Sequence, residues 1–169
     1  MQPTDIFSFN GKNTNLSIGD FWRFEFSNLI DLHGFVAEYL VARALGKDEP
    51  DNSIGWTDYD ILYQSKRIEV KSSAYFQTWR KDGKICQQRT FSIRQKNKND
   101  IYVFCLLLGK NEIDANPLQL EHWEFYVVAT KTIKEKCGDN KSISLKRLRS
   151  IANPIKYDNL KTYIDKTIE

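Results

Sequence analysis

Along residues 28–45, "NLIDLHGFVAEYLVARAL", the apolar positions Leu29, Leu32, Val36 and Leu40 recur three or four apart. This spacing predicts a helix, and Gly46 follows as its C-cap. A polar loop, "GKDEPDNSIG", comes next. The pattern then changes to period two: "YDILY" and "KRIEVKSSAYFQTW" read as strands, and "KDGK" reads as a turn that leads into "ICQQRTFSI" and extends the pair into a longer β-hairpin. "DIYVFCLLLG" is almost continuously apolar and predicts a central strand buried on both faces, with "WEFYVVAT" as its neighbour. Two helices close the chain, over 142–152 with Ser142 or Ser144 as N-cap, and over 157–168. Residues 1–19 are polar, carry an Asn10-Gly11 turn signal and read as an irregular arm. Helix, strands, then helices predict a single α/β or α+β domain over 1–169, with a mixed central sheet flanked by helices.

Composition is compatible with this. The chain has 169 residues, 41% of them hydrophobic, which suffices for one substantial core. No segment approaches the ~18 apolar residues of a membrane span, and "MQPTDIFSFNGKNTN" lacks the basic and apolar regions of a signal peptide. The expectation is a soluble cytoplasmic protein with no membrane partner. Cys86, Cys105 and Cys137 are too scattered for a disulfide framework or a zinc site.

Charge adds one asymmetry. Residues 1–62 hold four Lys/Arg and ten Asp/Glu, a balance of −6, whereas 63–169 hold 21 and 12, a balance of +9. The base is concentrated in 80–98 and 131–149, with seven Lys/Arg in each. An enzyme that combines a metal with a polyanionic substrate needs acid in one place and base in another; solvated loops and helix faces produce the same pattern.

The chemistry is in the first hairpin. If its strands meet through Gln64 and Ser65, residues whose numbers sum to 129 face each other, so Asp60 stands opposite Glu69 and Asp58 opposite Lys71. One face then carries Asp58, Asp60, Glu69, Lys71 and Ser73; the other carries Tyr59, Ile61, Tyr63, Ile68 and Val70. Directly opposed carboxylates have Cβ atoms ~5 Å apart and repel unless a cation lies between them. Carboxylate oxygens are the ligands Mg²⁺ prefers. An ammonium such as that of Lys71 orients attacking water or stabilises charge developing on a phosphate. Glu38 interrupts the apolar pattern of the first helix between Gly34 and Ala42; it either joins this group or faces solvent.

The order Glu38, Asp60, Glu69-Val70-Lys71 resembles the restriction-endonuclease-like, or PD-(D/E)XK, nuclease superfamily. The resemblance implies a mixed sheet flanked by helices, with Asp60 and Glu69 as Mg²⁺ ligands, Glu38 as an auxiliary ligand and Lys71 as the water-orienting lysine. The superfamily's Pro before the first Asp is replaced by Tyr59. A closer resemblance covers nearly the whole chain. "GDFWRFEFSNL", "HGFVAEYLVARALG", "IEVKSSAYFQTW", "DIYVFCLLL", "WEFYVVAT" and "SISLKRLRS" are similar to a family of small, uncharacterised bacterial proteins, which carries no activity over to this chain.

The expectation is therefore a Mg²⁺-dependent endonuclease, with Mn²⁺ as a substitute, hydrolysing DNA phosphodiesters by metal-activated water. RNA is left open as substrate, and cutting of duplexes hints at a homodimer. Further along the E-x-K strand and hairpin, Ser73, Gln77, Arg80, Arg89 and Arg94, with Trp79 for stacking, form a candidate nucleic-acid wall. The same residues also suit the solvated side of an amphipathic hairpin. In a straight strand Gln77 lies ~20 Å from Lys71, at ~3.3 Å per residue. The alternatives are an inactive nucleic-acid-binding or protein-interaction module of the same fold, and a domain in which Asp60, Glu69 and Lys71 form only structural ion pairs.

Overall fold

A computed structural model describes residues 1–48, 59–78, 89–93 and 98–169. Its centre is a four-stranded mixed sheet built from β3 (Ile61–Tyr63), β4 (Lys66–Ala74), β6 (Ile101–Leu107) and β7 (Trp123–Ala129), in that spatial order. β3 and β4 are antiparallel, β4 and β6 parallel, β6 and β7 antiparallel. The class is thus α+β, with a mixed central sheet flanked by helices as the patterning indicates. β6 is the buried centre: all seven of its residues are inaccessible, because it is paired on both sides and covered on both faces.

Alternation along β6 feeds two cores. Val103 and Cys105 meet Ile68 and Val70 of β4, Ala37 and Val41 of α2 (His33–Ala44), and Leu160 and Ile164 of α5 (Leu160–Ile168). Tyr102, Phe104 and Leu106 point the other way. That layer comprises β5 (Thr90–Ser92), α3 (Thr130–Cys137), β8 (Ser142–Ser144) and α4 (Leu145–Arg149), which contribute Phe91, Ile133, Ile143 and Leu148. Phe91 meets Phe104 edge-on, with ring centroids 5.3 Å apart. Cys105 and Cys137 are free and buried. Among the described residues no helix is long and apolar enough to cross a membrane.

Several boundaries differ from those the patterning predicts. Residues 1–19 are not irregular: Asn10 and Gly11, at φ 51° and 73°, join β1 (Ile6–Phe9) to β2 (Lys12–Ser17), and Ser17 caps α1 (Ile18–Glu25). Two positive φ values give the turn that matches strand twist. The first long helix begins at His33 rather than 28. The side chain of Asn28 accepts the Asp31 amide and donates to Asp31 and Thr78, a local alternative to the helical ladder. β4 stops at Ala74, and the backbone bends at Tyr75. The helix expected over 142–152 is divided: Phe91 pairs with Ile143 in a two-stranded sheet, and the Ser144 side chain caps α4 by accepting the Arg147 amide. At the C-terminus a 3₁₀ turn occupies 157–159 before α5. The expected "KDGK" turn and Cys86 lie outside the described residues; of "ICQQRTFSI" the described end, Thr90–Ser92, pairs with β8 in a separate sheet and does not extend the β3–β4 hairpin.

Candidate active site

The register of the first hairpin is as expected: Ile61 faces Ile68, Leu62 faces Arg67 and Tyr63 faces Lys66. Gln64 and Ser65 make the turn with positive φ at both positions. The ladder then changes at Asp60. The Asp60 amide donates to the Ile68 carbonyl at 3.0 Å, so Asp60 leaves the pairing that would set it opposite Glu69. Its carboxylate Oδ2 instead accepts the Val70 amide at 2.7 Å. A side-chain oxygen thereby takes the place of a strand carbonyl just before β3 begins. Asp58 lies outside the described residues.

Glu69 and Lys71 share a face of β4, as period two requires, and Lys71 Nζ lies 2.5 Å from Glu69 Oε1. This face is not a solvated one. Glu69 is only 4% exposed and Ser73 is buried, because their partners across the parallel register are Tyr102 and Leu106 of the second core. An acid at that depth requires a cation or hydrogen bonds to remain charged, and Lys71 supplies the cation.

Glu38 comes from α2, which covers the other face of β4, that of Ile68, Val70 and Ser72. The first turn of α2 lies against β4 at Ser72: His33 Nδ1 is 2.8 Å from Ser72 Oγ, and a Cβ added at Gly34 would lie 3.6 Å from the same oxygen. Burial first, then the neighbouring Asp60 and Glu69 charges, push the Glu38 carboxyl up to about 7, against an opposing pull from Lys71. Burial and the Glu38 charge also raise the Cys105 thiol. Glu38 is thus half-buried and does not simply face solvent.

No protein-family model matches the chain, and no curated protein matches it. The chemistry of these side chains is therefore what bears on function.

The candidate nucleic-acid residues separate. Gln77 lies beyond the bend at Tyr75 and so has left the alternation of β4. Arg89 is buried; its Nη2 donates to the Tyr75 carbonyl at 2.8 Å and its guanidinium sits 5.5 Å from the Tyr75 ring centre. Trp79, Arg80 and Arg94 lie outside the described residues. Sequence reasoning missed the Val70 amide that anchors Asp60, since main-chain donors leave no mark on residue identity. The contact between His33 and Ser72 likewise joins residues remote in sequence. Burial holds the His33 imidazole below its usual range, which favours a neutral ring.

As arranged, the side chains do not close around a metal: among the described residues no three His, Cys, Asp or Glu groups are placed to hold one. By donor chemistry, however, the set suits a hard cation. Burial, then the Asp60 and Glu69 charges, push the Glu38 carboxyl up, and carboxylate oxygens are what such a cation takes as ligands.

Proposed function

We propose that the chain is a Mg²⁺-dependent nuclease that hydrolyses DNA phosphodiester bonds at the group formed by Glu38, Asp60, Glu69 and Lys71, on a restriction-endonuclease-like fold. One observation carries this reading. Glu38, on a helix remote in sequence from the hairpin, feels the charges of Asp60, Glu69 and Lys71. A structural ion pair needs Glu69 and Lys71 alone; a third and fourth charge brought to the same sheet edge, at a cost in repulsion, suit a site.

Asp60, Glu69 and Glu38 are the residues that would hold the cation. Bound Mg²⁺ lowers the pKa of water and polarises a phosphoryl oxygen. The remaining tasks fall to the chain itself. The Val70 amide fixes one oxygen of Asp60 and thereby orients the carboxylate. Glu69 positions the Lys71 ammonium, which orients the attacking water and offsets negative charge developing on the phosphate. Burial against the second core limits competing water around Glu69 and strengthens its interactions with neighbouring charges. The exposed bases of α3 and α4 offer contacts for a phosphate backbone.

The tight Glu69–Lys71 pair also suits an inactive module of the same fold. Cleavage of single-stranded, duplex and branched DNA in Mg²⁺ or Mn²⁺ separates the two, with Lys71→Ala as the comparison and circular dichroism as the control for folding. Metal-dependent cutting that is lost in the variant supports the nuclease. Cutting that persists in folded Lys71→Ala removes the assigned site, and absence of cutting together with absence of metal binding favours the inactive module.

A further inference from the structure

The first 27 residues form a hairpin and a helix in which no residue is buried. The backbone is nevertheless well connected. The Ile18 amide donates to the Asp5 carbonyl and the Gly19 amide to the Pro3 carbonyl, so the start of α1 is tied to the start of the hairpin. The Ser17 and Asp20 side chains complete a capping box. A two-stranded hairpin and an eight-residue helix are each marginal in water without a buried face. Among the described residues this unit has no such face.

Its surface is aromatic. Phe7, Phe9, Phe21, Trp22, Phe24 and Phe26 are between 37% and 81% exposed. At ~200 Å² per large aromatic side chain they leave about 650 Å² of ring surface in water. A monomer rarely exposes more than a few hundred Å² of apolar surface in one patch, and a standard protein interface takes ~800 Å² from each partner. Summed over the hairpin and α1, the exposed aromatic area is of the size that one side of a dimer contact requires.

Charge narrows the occupant. The unit carries Asp5, Asp20 and Glu25 against Lys12 and Arg23. It lacks the excess of base that an anionic membrane surface or a nucleic acid would call for. Asp20 and Arg23 lie three apart on α1, and their ion pair at 3.1 Å is exposed. That pair is closed within α1, and with three acids against two bases the unit is close to neutral, so two copies of it can meet without strong charge repulsion. We infer that the N-terminal hairpin and α1 form a self-association surface that a second copy of this chain covers with the same surface.

The test is mass, and it is independent of any activity. Sedimentation of the full chain at micromolar concentration is expected to give twice the 19.8 kDa chain mass. Phe9→Ser with Phe24→Ser, both at well-exposed positions, is expected to give the single-chain mass with an unchanged circular dichroism spectrum. A native chain that stays monomeric across the micromolar range overturns the inference; so does a dimer that survives in the folded double variant. A second measurement needs no variant: hydrogen-exchange protection of the α1 amides in the native chain should rise with protein concentration. Protection that does not change with concentration counts against the inference.

Discussion

The carboxylate of Asp60, just before β3, accepts the main-chain amide of Val70 at 2.7 Å, where among the described residues β4 has a strand partner only on its β6 side. The strand edge that would otherwise be an open hydrogen-bonding position is closed by an acid. Asp60 thus has a structural task beside any chemical one, and substitutions can separate them.

Asp60→Asn keeps an oxygen that can accept the Val70 amide, so its effect on unfolding in urea should stay below ~1 kcal/mol. Asp60→Ala leaves that amide without its acceptor and is expected to cost about 1–3 kcal/mol. On the proposed reading both abolish cleavage. Equal loss of stability in the two variants would show that the charge, and not the hydrogen bond, is what the fold uses.

Removing the Lys71 ammonium leaves Glu69 buried without its cation, and Lys71→Met is expected to destabilise the chain by about 3 kcal/mol. Glu69→Gln alone strands the ammonium but leaves it closer to solvent, and should cost less. The double variant should be more stable than the sum of the two single effects, because neither charge is then left alone. A chemical-denaturation cycle measures this coupling. Additive effects would mean that the 2.5 Å pair contributes no net coupling to the fold.

How much of this site is legible from residue order depends on which forces fix it. The β3–β4 register is, because period-two alternation and a two-residue turn at Gln64 and Ser65 leave few other pairings. The same holds for β6, whose unbroken apolar run permits only a strand buried on both faces. The exit of Asp60 is not legible, since it depends on a main-chain amide rather than on a residue type. Nor is the burial of Glu69, which is imposed by aromatic residues of β6 and β7 distant in sequence. Ser142–Ser144 carries the apolar residue of a helical stripe, and only pairing with β5 makes it a strand. The N-terminal hairpin is obscured for a different reason: its apolar residues cover no core, so alternation there does not mark an inside.

Metal binding should be visible as stability even where cleavage is not measured. A ligand present at 100 times its dissociation constant stabilises the folded state by ~2.7 kcal/mol. Thermal unfolding with and without Mg²⁺ should therefore show a higher midpoint for the native chain and little change for Asp60→Asn. Chelation with EDTA should reverse the shift. An equal rise in both proteins would assign the effect to general ionic screening rather than to Asp60.

The sharpest prediction concerns Glu38, whose carboxyl is pushed up to about 7 from an ordinary 4.5 by burial, Asp60 and Glu69. Between those two values the folded chain holds a proton at Glu38 that the unfolded chain has released. Stability therefore falls as pH rises through this window; below it the penalty is absent, and above about 7 it is fully present. Glu38 is only half-buried, and after allowance for solvent screening the loss is about 1–2 kcal/mol. Glu38→Gln cannot ionise, so it should match the native chain below pH ~4 and exceed it in stability above pH ~8. Urea midpoints across this range test the sign directly. If Mg²⁺ binds here, it must displace the Glu38 proton, and its affinity should rise with pH through neutrality in the native chain but not in Glu38→Gln. A native chain that gains stability from pH ~5 to ~8 relative to the variant would place Glu38 beside an uncompensated cation instead of between two acids.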